Sequence, residues 1–264
     1  MIRVNPDVKF SYDLVKGSPQ SRREFVGNLN AKIFESIQSS MHEGGILLDD
    51  YKRIFKSVCP ENKKVTISKI SPKDKIFEGS TDYIYDNKNN IVGQSMELPT
   101  QKGKIQTKEL VTVMHEGTHA IEVLSNPKYT VRRNKLYKNG MYGDVSNKWY
   151  DTVLYRKEDS STEYEKRACL DDVKERTSKF LSGKSKADKL DYIQDARYEL
   201  EQEKNAYEEQ LKYAKLLEFQ GKEVDPDDLK DGNKTFLFPE KIEMLKQMGF
   251  EVVAEIRKKL AKSH

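Results

Sequence analysis

His115, Glu116 and His119 lie in the stretch ELVTVMHEGTHAIEVLSNP, Glu109 to Pro127, and their types and spacing suit one kind of chemistry. Positions i and i+4 of a helix stand one turn apart on the same face, so both imidazoles can reach a single cation. Neutral imidazole nitrogen is a good zinc ligand. Glu116, offset by one residue, points beside the metal, where it can take a proton from a metal-held water and later hand it to a leaving amine. This is the HExxH arrangement, a short pattern that also arises by chance on solvated helices. The surroundings decide its weight. The chain has four histidines and places two of them here, while His42 and His264 fall in a loop and a tail and carry no role.

The motif needs a helix with one apolar face. From Thr107 the apolar period is helical: Leu110, Val113, Met114, Gly117, Ile121 and Leu124 form one broad stripe, and Ser125-Asn126-Pro127 ends it. Gly117 keeps one wall of the site low, and Thr118 and Ala120 are small. A small sheet is expected just upstream. KKVTISKI alternates as a half-buried strand, and TDYIYDNKNNIVGQSMEL reads as a hairpin turning at Asp86–Asn90, with its second arm over Ile91–Leu98. Before it, Phe25, Leu29, Ile33, Phe34 and Ile37 mark an amphipathic helix, and a short one covers Leu48 to Val58. After it, residues 128–160 read as a long irregular insert, with YKNGMY able to form a hairpin of its own. The remainder is helical. Ser160-Ser161-Thr162 caps a helix to about Leu181, with Glu163 and Glu165 in its first turn; a longer helix runs from Asp188 to about Gln220, and a last one spans Pro239–Lys262.

On these residues the chain resembles the zincin metallopeptidases, over roughly Lys64 to Leu181. The resemblance implies an α+β fold: a zincin-like core with a small mixed sheet and an active-site helix, followed by a largely helical C-terminal extension. The division expected is an N-terminal helical segment over 1–63, a catalytic core over 64–182 and the extension over 183–264. The family implies Zn2+ on His115 and His119, with Glu116 as general base in hydrolysis of a peptide bond. The metzincin continuation, a glycine and a third histidine, is absent after His119, which excludes that branch. The gluzincin branch takes its third ligand from a later helix. Glu165 in STEYEKRACLDD and Glu203 in ELEQEKNAYEEQ each precede an alanine by three residues, the small residue that lets two helices approach. Glu165 is preferred, because it opens the first helix after the motif, whereas Glu203 lies in an acid-rich stretch; Glu163 is a weaker third choice. The family also needs a donor for the oxyanion, for which Tyr142 and Tyr155 are nominated. An edge strand above the helix receives substrate backbone by strand addition, and Ile91–Leu98 is nominated for that.

Composition limits the alternatives. Of 264 residues, 34% are charged, and the 47 basic and 43 acidic side chains leave a net charge of only +4 without a sustained basic run. A mean hydropathy of −0.82 points to a modest core beneath solvated helices. Nucleic acid is therefore not expected as a partner; a protein or peptide substrate is what the resemblance implies. Cys59 and Cys169 are far apart and read as reduced structural thiols. With no apolar signal or membrane-length segment in MIRVNPDVKFSYDLVKG or later, a cytoplasmic protein with no membrane partner is expected. Export by a signal-independent route, or carriage in a virion, stays open. The competing reading is a zincin-like domain that has retired from catalysis and serves an assembly through its charged helices. The intact Glu116 favours an enzyme.

Overall fold

A computed structural model describes residues 19–42, 44–59, 64–70, 79–88, 90–126, 133–136, 140–141, 143–156 and 162–261. The chain divides into two compact units, Met1–Thr130 with Asn205–Lys230, and Val131–Lys204 with Asp231–His264. The breaks between these units fall at 130/131, 204/205 and 230/231, beside the boundaries expected at 63/64 and 182/183. The apolar stripe of the first helix has its partners in the core beside the histidine-bearing helix, and the chain returns to that core at Asn205.

In the first unit, α1 (Pro19–Ser40) is followed by β1 (Gly45–Leu47) and α2 (Leu48–Val58). The strands β2 (Lys64–Lys69), β3 (Ser80–Tyr85), β4 (Ile91–Leu98) and β5 (Lys104–Gln106) lead through a 3₁₀ turn into α3 (Leu110–Ser125). β1 and β5 form an antiparallel pair, and the other strands make a mixed sheet in the order β2-β4-β3. β4 is thus the central strand, parallel to β2 and antiparallel to β3. The hairpin between β3 and β4 turns on Asp86, whose carboxylate accepts from the backbone N–H of Lys88 and of Asn90 at 2.8 Å each, the local bond that makes Asp a turn former. The apolar stripe of α1 is buried as its period requires. Val26, Leu29, Ile33, Phe34 and Ile37 lie among Tyr51, Ile54 and Phe55 of α2, Met96 and Leu98 of β4, and Val113, Met114 and Ile121 of α3. Asn30 ties α1 to α3 by donating to Thr118 Oγ1 at 2.8 Å.

Gly93 makes the parallel pairing possible. It sits opposite Lys64, and a Cβ on it would stand 1.8 Å from the Lys64 carbonyl oxygen, a backbone atom that cannot swing aside. Gly93→Ala should therefore part β2 from β4 and cost on the order of 3 kcal/mol, the upper range for an overpacked site. Urea unfolding of the variant beside wild type reads this directly, and an unchanged midpoint would contradict it.

The second unit contains α4 (Asp144–Tyr155), α5 (Glu163–Leu181), the first part of α6 (Lys186–Phe219), and α7 (Gly232–Phe236) with α8 (Phe238–Ala261). The helix α4 lies within the stretch 128–160 that reads as irregular from sequence. Trp149, Tyr150, Val153 and Leu154 are buried along it, a helical period hidden among tyrosines and polar residues. The YKNGMY hairpin falls largely outside the described residues. Trp149 stacks on Phe180 with ring centroids 4.3 Å apart, Tyr192 meets both rings edge-on, and Trp149 Nε1 donates to Thr177 Oγ1 at 3.1 Å. Arg133 joins Asp195 at 2.9 Å and also Glu199, and Tyr150 donates to Asp195 at 2.6 Å. No described helix is long and apolar enough to cross a membrane.

Lys241 on α8 is fully buried. Its ammonium donates to the carbonyls of Leu154 and Arg156 at 3.3 and 3.0 Å, at the C-terminal end of α4. Burial pulls its pKa down to about 8, with the nearby Arg156 charge acting in the same direction and Cys169 opposing. Between pH 8 and the ordinary lysine value, the unfolded chain holds a proton that the folded chain has released, so stability rises with pH across that window. The full rise is about 3 kcal/mol, from the shift at 1.36 kcal/mol per unit. Unfolding free energies at pH 7 and pH 10 should show most of this gain for wild type over Lys241→Met, which lacks the titrating group. Parallel pH profiles for the two proteins would contradict it.

Candidate metal centre

The helix α3 is buried on most of its surface. His115 and His119 point their Nε2 atoms at each other at 3.1 Å. Their rings stand edge to face with centroids 4.8 Å apart. Two nitrogens bound to one tetrahedral zinc at ~2.0–2.1 Å lie about 3.3 Å apart, so the spacing in this chain is close to that of a loaded pair. Burial lowers the His119 pKa, with the Glu116 charge opposing; the neutral ring this favours is the ligating form.

A carboxylate completes the group. One ligand atom each from His115, His119 and Glu203 lies within 4.8 Å of the other two, and among the described residues this is the metal-capable cluster found. Glu203 belongs to α6, one turn before Tyr207, whose ring meets the His115 ring edge-on at 4.8 Å. Two residues along, Asn205 Nδ2 donates to Glu122 Oε1 of α3 at 2.7 Å. Tyr155 of α4 donates to Glu203 Oε1 at 3.4 Å.

Glu165, the acid preferred from sequence, is elsewhere. Thr162 is the N-cap of α5 and accepts from the Glu165 backbone N–H at 3.4 Å, and its hydroxyl donates to the Glu165 carboxylate. Thr162 and Glu165 thus occupy the N-cap and N3 positions of α5. Ala168, which would have admitted a neighbouring helix, is exposed, whereas Ala206, three residues after Glu203, is fully buried. Of the two acids with an alanine one turn on, only Glu203 has that alanine buried. Glu163 is exposed and paired with Lys166 at 2.8 Å.

Glu116 is buried between α3 and β3, 9% exposed. Thr81 donates to its Oε2 at 2.7 Å and to its backbone carbonyl at 3.1 Å. Burial raises its pKa above the usual carboxylate range, against the lowering by His119 and by the Thr81 bond, while Asp82 adds to the rise. Gly79 makes room for it: a Cβ there would lie 2.9 Å from Thr112 Cγ2 and 3.0 Å from Glu116 Cγ. The glycine inside the motif has a different use from the one expected. A Cβ on Gly117 would stand 3.4 Å from Phe55 Cε2 and 3.5 Å from the Tyr51 hydroxyl, so Gly117 seats α3 on α2 and does not form a wall of the metal site.

One more expectation changes. Ile91–Leu98 is the central strand, paired on both sides, and cannot accept an added strand; the outer strands of that sheet are β2 and β3. Tyr142 lies outside the described residues. Sequence reasoning missed Thr81, Gln210 and Asp228. Gln210 Oε1 lies 2.8 Å from His115 Nδ1, and Gln210 Nε2 donates to Asp228 Oδ1 at 2.9 Å. A signal for Gln210 was present, since Glu203, Tyr207 and Gln210 follow the i, i+4, i+7 spacing of one helix face.

No family model, no curated protein and no solved structure matches the chain.

Proposed function

We propose that this protein is a zinc-dependent peptidase that hydrolyses a protein or peptide substrate, with His115, His119 and Glu203 as metal ligands and Glu116 as general base. The observation that carries the reading is the convergence of two imidazoles and a carboxylate beside a buried glutamate on the same helix as the histidines. Two nitrogen donors and one oxygen donor suit zinc and leave a fourth position for a water or substrate. Other first-row divalent ions accept the same donors, so the metal is identified by analysis.

A zinc ion held there would act as a Lewis acid toward a carbonyl oxygen and make a bound water a nucleophile near neutral pH. The chain supplies the proton handling. Glu116 Oε2 is fixed by the Thr81 hydroxyl, so its carboxylate has one orientation. Its raised pKa brings it closer to the working pH, where a base can accept a proton and return it to the leaving amine. The strand beside it is β3. As an outer strand carrying Thr81, β3 takes the strand-addition role expected of Ile91–Leu98 and would align an extended substrate alongside Glu116.

Metal analysis of the purified protein should find about one zinc per chain, and cleavage of an unfolded polypeptide such as casein should stop on chelation and on Glu116→Gln. Protein that binds no metal, or cleavage indifferent to both treatments, would sink this reading.

A further inference from the structure

We infer that Gln210 and Asp228 form a relay that holds His115 with its proton on Nδ1 and thereby assigns Nε2 as its metal-binding atom. This rests on the metal-centre reading above and adds two positioning residues to it. The whole relay belongs to the first unit: His115 on α3, Gln210 on α6, and Asp228 in the 3₁₀ turn Pro226–Leu229 that follows α6.

The direction of the relay follows from what each group can do. An ionised carboxylate only accepts hydrogen bonds, so the Gln210 atom facing Asp228 Oδ1 at 2.9 Å must be the amide nitrogen. The other end of the same amide is then the carbonyl oxygen, which also only accepts, and it lies 2.8 Å from His115 Nδ1. Nδ1 must supply the proton. A neutral imidazole carries one N–H, so the Nε2 lone pair is left for a cation.

Asp228 is itself buried, so its turn cannot readily trade the amide for water. Tyr207 packs edge-on against the His115 ring and opposes its rotation. The neighbouring histidine is constrained in turn. With a lone pair on His115 Nε2, the 3.1 Å contact between the two rings is a hydrogen bond in metal-free protein only if His119 donates from its own Nε2. A metal held by both Nε2 atoms would require His119 to take the other neutral tautomer, with its proton on Nδ1. Outer partners of this kind fix both the tautomer and the basicity of a ligating histidine.

The test uses the full chain. In protein freed of metal by a chelator, long-range proton–nitrogen correlation spectra report which nitrogen of each imidazole is protonated, and the chain has only four histidines to assign. The expected result is an Nδ1–H form for His115 and an Nε2–H form for His119. Gln210→Met keeps the volume but removes the acceptor. It should abolish the His115 preference and weaken zinc binding roughly 10–100-fold in a chelator competition. Gln210→Glu keeps an oxygen facing Nδ1 and should retain the tautomer. Asp228→Asn, the second variant should Gln210→Met fail to fold, frees the amide to turn over and should shift His115 toward Nε2–H. A wild-type His115 protonated on Nε2 would overturn the relay, as would Gln210→Met with both tautomer and zinc affinity unchanged. An Nδ1–H His115 in a protein that binds no zinc would support the relay and count against the metal centre instead.

Discussion

Glu203→Ala should leave the protein without its metal, while Glu165→Ala should keep the full wild-type complement. The two acids carry the same local pattern, yet only Glu203 lies beside the two histidines. Glu203 is 9% exposed, and its carboxylate meets His115 and His119 within 4.8 Å. On the proposed reading, removing it takes away a direct ligand, so the loss of affinity should exceed the ~10–100-fold expected for an outer partner. Glu165 instead sits in the first turn of α5 with Thr162; its loss leaves the cap bond to the backbone N–H in place and should cost about 0.3–1 kcal/mol, as for an acid near a helix N-terminus. Metal content after dialysis against a weak chelator separates them. Zinc retained in Glu203→Ala would remove that residue from the site, and zinc lost in Glu165→Ala would restore the assignment preferred from sequence.

Glu116→Gln should reduce turnover by about 10²–10⁴-fold, the range for removing a positioned general base, with metal content unchanged. Glutamine fits the same space beside Gly79 and can still accept from Thr81, so folding is spared. It should even help. Burial is the main cause of the raised Glu116 pKa, which means that the folded state binds that proton more tightly than the unfolded chain. As pH rises above the ordinary carboxylate value, ionising the buried group therefore costs the native state free energy. The neutral variant escapes that cost, so its melting temperature at pH 7 should match or exceed that of wild type. An inactive variant with undiminished metal and undiminished stability is the signature of a base. A variant that still turns over at the wild-type rate would place the base elsewhere.

The sequence carried much of this arrangement in its periodicities. The stripe from Leu110 to Leu124, the alternation in KKVTISKI and the Asp86 turn each state their own structure, because burial of one face dictates the period and Asp86 bonds its own turn. The helices ending at Leu181 and beginning near Asp188 lie where caps and breaks put them. What local pattern could not supply was pairing. Ile91–Leu98 alternates as a half-buried edge strand would, and only its partners make it central; Gly93, opposite Lys64, was the residue that admitted the second neighbour. Trp149 and Leu154 lie on a helical face, but tyrosines and glycine around them masked the period. The site shows the same division. His115 and His119 are one turn apart, so helix geometry alone brings them together. Glu203 is 84 residues further along than His119, and local pattern could not separate it from Glu165. The difference lay in Ala206 being buried and in the T-x-x-E spacing that commits Glu165 to a cap.

α6 gives the early part of the chain a long wait. Tyr213, Ala214 and Leu217 lie in the same apolar core as α1 and α3, and Gln210 and Glu203 come from the same helix. During synthesis at roughly 5–20 residues per second, the histidine-bearing segment leaves the ribosome roughly 4–17 s before the helix that completes its core. A nascent or truncated chain ending near residue 182 would have both histidines and the base but neither the third ligand nor the finished core. On the proposed reading, hydrolytic competence then arrives as a property of the completed polypeptide, and the cell that makes the protein is spared a half-built protease for as long as translation lasts.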